Sequence, residues 1–198
     1  MKRLLPILAV AIACALAACA KRDSAASAPR VQLEDGGTAV DLDLMAFLSE
    51  ARALHHEANV REDAGDLPGA IAAMQKLVHA SRPHPGEPIP EVEEVLADAF
   101  ARLAELAMRD HDLDRATAAV HEGMAHAEGV TYFRGHLLEV AGIVEETRAS
   151  VLADAGKTDE AVKARARALA SLEEAVDVQE KVIGHALSDA GPGEGGSK

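Results

Sequence analysis

Cysteine is scarce: the 198 residues hold two, Cys14 and Cys19, both within the first nineteen positions. The rest of the chain can form no disulfide, no thiolate metal site and no cysteine nucleophile. Aromatic residues are almost as rare, with no tryptophan, one tyrosine (Tyr132) and three phenylalanines (Phe47, Phe100 and Phe133). So few rings build neither a base-stacking platform nor an aromatic sugar cleft. Positive charge is in deficit, 20 Lys and Arg against 33 Asp and Glu, for a formal net charge of −13. A chain of that sign repels nucleic acid and anionic headgroups, which removes nucleic acid as a partner. There is no Gly-rich phosphate loop and no serine-centred nucleophile elbow. Ser49, Ser81, Ser150 and Ser171 stand alone in helical or helix-end contexts. No long segment alternates apolar and polar residues between turn signals, which argues against a sheet.

What is present begins at the start of the chain. Lys2 and Arg3 precede an apolar stretch from Leu4 to Ala15, broken only by Pro6, and Leu16-Ala17-Ala18-Cys19 follows. The order is that of a secretory signal, too short and wrongly flanked for a spanning helix. Leu16-Ala17-Ala18-Cys19 resembles the lipobox of bacterial lipoproteins. The resemblance implies that residues 1–18 are removed and that Cys19 becomes the first residue and carries acyl chains. Several chains together anchor stably where one alone does not. Loss of Lys2 and Arg3 leaves the protein two units more negative than −13, so the lipid and not a basic patch would hold it to the membrane. Ala20, where an aspartate would favour inner-membrane retention, implies the outer membrane, facing the periplasm, if the source is Gram-negative.

Residues 20–40 are rich in Ala, Ser, Asp and Gly and read, with Cys19, as a tether over 19–40. Such a linker spans on the order of 25 Å root-mean-square. The Gly-rich end, 189–198, reads as a disordered tail. Between them, 41–188 has helical periodicity. Leu44, Leu48, Ala51, Leu54 and Ala58 recur at three- and four-residue steps, as do Val92, Val95, Ala99, Leu103 and Leu106. Leu137, Val140, Ala141 and Val144 repeat the pattern. The breaks match as well: Gly65-Asp66-Leu67-Pro68-Gly69-Ala70, His111-Asp112-Leu113-Asp114-Arg115-Ala116 and Gly156-Lys157-Thr158-Asp159-Glu160-Ala161. Each offers a capping residue, Asp66, Asp112 or Thr158, and leads to an alanine. Ala70, Ala116 and Ala161 recur at a nearly constant interval, which predicts repeated helical hairpins.

The unit resembles a tetratricopeptide repeat. Ala58, Gly65, Ala70 and Met74 fit its pattern in the first hairpin, and Phe100, Leu103, Ala104, Ala116 and Val120 fit it in the second. In the third only Gly156, Ala161 and Ala168 fit, with Glu145 and Arg148 standing where large apolar residues belong. The interval also exceeds the family's, the extra length falling in longer helices and in the connections Arg82 to Pro90 and Glu128 to Gly135. The expected architecture is all-α: about three stacked antiparallel hairpins in a short right-handed array, with a long C-terminal helix. A plain antiparallel helical bundle is the alternative.

That last helix is expected from about Asp159 to Leu187. Val162, Leu169, Val176 and Ile183 repeat every seven residues, flanked by Ala168, Leu172, Ala175 and Val182. The stripe reads first as a cap sealing the end of the array, and second as a coiled-coil-like dimer seam over residues 159–187. Lys163, Arg165 and Arg167 beside Glu173 and Glu174 read as a solvated face.

Nine histidines raise the question of a metal. His121 and His126 are five apart, about 140° around a helix, and the adjacent His55 and His56 diverge by about 100°. Neither pair can share an ion without a break, so the histidines read as surface residues and no metal or cofactor is expected. Glu91, Glu93 and Glu94 after Pro90 suit a helix start, where the dipole favours acids and proline is tolerated. Nothing supports catalysis, and the protein reads as a non-enzyme. Pro83-His84-Pro85-Gly86-Glu87-Pro88-Ile89-Pro90 reads as a stiff spacer between hairpins, and Tyr132-Phe133 as an apolar plug between the second and third.

The resemblance further implies that the first helix of each hairpin lines a groove for an extended or helical segment. By position that groove presents Arg52, His55, Asn59 and Glu62, then Asp98, Glu105 and Arg109, then Glu146 and Ser150. The expectation is a lipid-anchored adaptor that binds another envelope protein or peptide, with use in assembling an envelope or secretion complex by analogy. A periplasmic small-ligand or metal-binding bundle and a structural homo-oligomer are the alternatives.

Overall fold

The computed structural model describes residues 40–189. The expected signal, Cys19, all but the last residue of the tether and all but the first residue of the expected tail lie outside them. Among the described residues there are six helices and no strand: α1 (Leu42–Asp63), α2 (Leu67–Val78), α3 (Pro90–Arg109), α4 (Leu113–Met124), α5 (Tyr132–Asp154) and α6 (Thr158–Asp189). They pair as α1 with α2, α3 with α4 and α5 with α6, and α3 packs on α1, α2 and α5. The fold is a stack of three antiparallel hairpins with a long C-terminal helix.

The three hairpin turns are built alike. Gly65, His111 and Gly156 hold positive φ angles of 79°, 61° and 76°. The N–H of each bonds a carbonyl three residues back (Glu62, Met108, Ala153), and the next N–H reaches five back (Arg61, Ala107, Leu152). This closure satisfies carbonyls that a helix end leaves free. Glycine enters the left-handed region without a Cβ penalty; His111 holds the same conformation without that relief. One residue on, Asp66 and Asp112 accept side-chain hydrogen bonds from the N–H of Gly69 and Arg115, at 3.0 and 2.9 Å. The third turn departs from the expectation that Thr158 caps. Thr158 is the first residue of α6, and the register set by Gly156 puts Lys157 in the capping place. Its ammonium accepts no hydrogen bond, and Glu160 at 3.7 Å is its ion-pair partner.

Ala70, Ala116 and Ala161, the recurrent alanines, are all buried where the second helix of a hairpin meets the first. The core through α1–α4 sets bulky side chains, including Phe47, Leu54, Met74, Leu77, Leu96 and Leu106, among buried alanines, and it continues into Leu137, Val140 and Val144 of α5. The α5–α6 seam is different. On α5, Gly135, Gly142 and Ala149 are buried at seven-residue steps, as are Ala161, Ala168 and Ala175 on α6, and Gly135 lies under the Gln179 side chain. A Cβ built on Gly142 would lie 2.6 Å from Leu172 Cγ and 3.2 Å from the Ala168 carbonyl.

The seven-residue stripe expected to seal the array therefore does not do so. Val162, Leu169, Val176 and Ile183 are each more than half exposed, and the neighbouring alanine row makes the contact. The expected solvated face is divided: Arg167 bonds Glu145 of α5 at 2.6 Å and Glu174 pairs with Arg134 at 3.5 Å. No helix among the described residues is long and apolar enough to cross a membrane.

The proline-rich segment is a folded connection. Pro83 is buried, His84 and Gly86 hold positive φ, and the Glu87 N–H donates to the His84 carbonyl at 3.1 Å. His84 Nε2 meets Asp41 Oδ2 at 2.7 Å, and Asp41 also accepts from the N–H of Leu44 and Asp43 at the start of α1. The Leu44 N–H first, His84 second and the Asp43 N–H least hold the Asp41 carboxyl below its ordinary value.

Candidate functional groove

The first helices of the first two hairpins, α1 and α3, carry matching stripes. Leu48, Arg52 and His55 follow one another along α1, and Glu91, Glu94, Val95 and Asp98 along α3, all at three- and four-residue steps that share a face. With Ala51 and Phe133 they enclose an open cleft of about 400 Å³. Its floor is Leu48, Val95 and Phe133, half-buried side chains packed against the core. Its walls carry three carboxylates against Arg52, so the cleft is acidic over an apolar base.

His55 reaches across the cleft, its Nε2 lying 3.6 Å from Asp98 Oδ2. Burial pushes the imidazole below its ordinary value of 6.5; Asp98 opposes that shift, and the Arg102 guanidinium adds to it. At neutral pH the histidine is therefore uncharged, and the carboxylates outnumber the single cation.

Farther along the same two helices an ion cluster replaces the cleft. The Arg102 and Arg109 guanidiniums both donate to Glu62, and Arg102 also donates to Asn59 at 3.2 Å and Glu105 at 3.0 Å. The Glu62 side chain is 11% exposed, and its carboxylate is committed to two arginines. Three positions expected to face a partner thus join α1 to α3, Asn59, Glu62 and Arg109, and a fourth, Glu105, holds Arg102 within α3. The other two groups of expected residues separate cleanly. Arg52, His55 and Asp98 come together in the cleft, whereas Glu146 and Ser150, both exposed on α5, join neither the cleft nor the cluster. At 3.6 residues per turn they stand about 140° and 100° around α5 from Phe133, which is the α5 residue in the cleft.

Sequence reasoning missed Leu48, Glu91, Glu94, Val95, Phe133 and Arg102. The signal was available on α3, where 91, 94, 98, 102, 105 and 109 are successive steps of one helical face. Tyr132 and Phe133 also divide their expected role: Phe133 packs on the core while Tyr132 is exposed.

The polar residues that break the motif in the third hairpin have partners. Arg148 donates to Asp114 at 3.0 Å, to the Leu113 carbonyl at 2.9 Å and to Thr117 at 2.9 Å, and Glu145 takes Arg167. They line a wide open hollow with His121 and Glu122 of α4. His126 corrects the surface reading of the histidines. It lies past the end of α4, largely buried, bonded to Glu93 at 2.6 Å and stacked on Phe100. Among the described residues no three His, Asp or Glu side chains converge as a metal site would require, and no buried side-chain polar atom lacks a hydrogen-bond partner. No protein-family model matches the chain, and no curated protein is similar to it.

Proposed function

We propose that the protein is a lipid-anchored, non-catalytic adaptor of the bacterial cell envelope, and that the cleft between α1 and α3 takes a segment of a protein partner. The observation that carries the reading is the cleft itself, an apolar base of Leu48, Val95 and Phe133 under Glu91, Glu94 and Asp98. Recognition by a groove of this kind combines an apolar anchor with flanking charge. The chemistry commits the partner to a segment with one large apolar side chain flanked by Lys or Arg. Pairs of stacked helices presenting a groove are also what the tetratricopeptide resemblance implies. Anchoring rests on Leu16-Ala17-Ala18-Cys19, and the outer membrane on Ala20 and a Gram-negative source.

Two measurements test the two halves separately. Labelling with a radioactive fatty acid is expected to mark the wild-type chain and to spare Cys19→Ser; equal labelling of both removes the anchor. Fluorescence anisotropy against short peptides is expected to rank basic–apolar–basic above acidic–apolar–acidic. Glu94→Lys with Asp98→Lys should reverse that order. An unchanged ranking, or no binding by either class, removes the cleft as the partner site.

A further inference from the structure

We propose that α6 pairs with the α6 of a second copy of this chain, antiparallel, about a two-fold axis passing between Leu172 and Glu173. The α5–α6 seam uses the alanine face of α6, which leaves Val162, Leu169, Val176 and Ile183 57–58% exposed, and Leu187 71% exposed. Seven-residue spacing keeps such a stripe on one side of a helix that supercoils with a partner.

The charges beside the stripe say which partner and which direction. Residues 162–172 contain Lys163, Arg165 and Arg167 and no acid. Residues 173–183 contain Glu173, Glu174, Asp177 and Glu180 against Lys181. The halves are therefore +3 and −3, and their boundary is the midpoint of the apolar stripe. In an antiparallel pair centred there, Val162 lies level with Ile183, Leu169 with Val176 and Arg165 with Glu180. A parallel pair would set base on base and acid on acid, which is disfavoured. The needed charges are not spent within the chain: among the described residues Lys163, Arg165, Glu173, Asp177 and Glu180 have no ion-pair partner, unlike Arg167 and Glu174. A second copy sets the acidic half of its helix along the basic half of the first, and the reverse, by symmetry.

The test uses the full chain with Cys14→Ser and Cys19→Ser, followed by sedimentation equilibrium from about 1 to about 100 µM. A monomer–dimer equilibrium is expected. Leu169→Glu with Val176→Glu should leave a monomer of unchanged helix content and melting temperature, since both side chains are largely exposed. Lys163→Glu with Arg165→Glu should weaken the dimer about tenfold, and adding Glu173→Lys and Glu180→Arg should restore it. Direction is read by oxidation: Glu173→Cys, close to the axis, should form a disulfide-linked dimer, and Val162→Cys should not. A monomer throughout the range overturns the proposal, as does a dimer indifferent to the charge reversals or one linked by Val162→Cys. None of these results bears on peptide binding by the cleft.

Discussion

The first two hairpins and the third share one turn and one topology but differ in how their helices meet. In α1–α4 large side chains, with Met74, Leu77, Leu96 and Leu106 fully buried, pack among many alanines. In α5–α6 the glycines of α5 make the difference: Leu172 lies over Gly142 and Gln179 over Gly135, closer than a Cβ there would allow. The buried alanine row of α6 and a small cluster of Leu138, Ala175 and Val178 lie beside them. In the first two hairpins the core lies beneath the cleft of α1 and α3. In the third, the glycine positions bring α6 close to α5 and leave Val162, Leu169, Val176 and Ile183 outside. The array thus has a cleft-bearing end and a long-helix end, made from the same repeated turn.

The sharpest way to break this contrast is to shrink one side and enlarge the other. Leu77→Ala should cost about 3 kcal/mol in a denaturant melt, by lost burial and the cavity left behind. Gly142→Leu should cost about 2 kcal/mol by overpacking against Leu172 and Ala168, despite leucine's better helix propensity. A neutral Gly142→Leu would show that the seam is loose and remove the distinction. The turns sharpen it next: Lys157→Asp should raise stability by about 1 kcal/mol, by giving the third hairpin the side-chain acceptor that the first two have. The smallest effect is a pH dependence. Folding lowers the affinity of His55 for a proton, so the fold should lose stability as pH falls through 6.5. His55→Gln should flatten that slope in thermal melts. The same protonation adds a positive charge to the cleft, so a basic peptide should bind more weakly below that pH. Asp41 and Asp66 shift downward, each chiefly through a backbone N–H, and their stabilisation is lost in a separate window below 3.8.

The periodicity of α1, α3 and α5 and the three equivalent breaks were legible in the chain, because each is a local property of residues three or four apart. The stacking order followed from the same pattern. The cleft was half legible. Arg52, His55 and Asp98 fall on one face by counting, but counting cannot say that Glu62 is consumed by Arg102 and Arg109, which lie 40 and 47 residues away in sequence. The outward turn of the α6 stripe was hidden for a related reason. A hydrophobic scale ranks Val162 and Leu169 above Ala161 and Ala168. The glycines of α5 reverse that order: Leu172 and Gln179 fill the space over Gly142 and Gly135, the alanine row lies buried beside them, and the stripe is turned outward. Thr158 was misplaced by a single residue, which the positive φ at Gly156 decides.

The ion cluster has a mechanical consequence for the cleft. It fastens α1 to α3 near their C-terminal ends, while the cleft lies between their N-terminal halves. There the tie runs through the proline-rich connection, by the contact of His84 with Asp41. The cleft is therefore bracketed by two ties, the arginine–glutamate cluster beyond its C-terminal side and the histidine–aspartate contact at its N-terminal side. Any spreading of α3 from α1 would have to break one of them, and it would load Phe133, the residue through which the third hairpin meets the cleft.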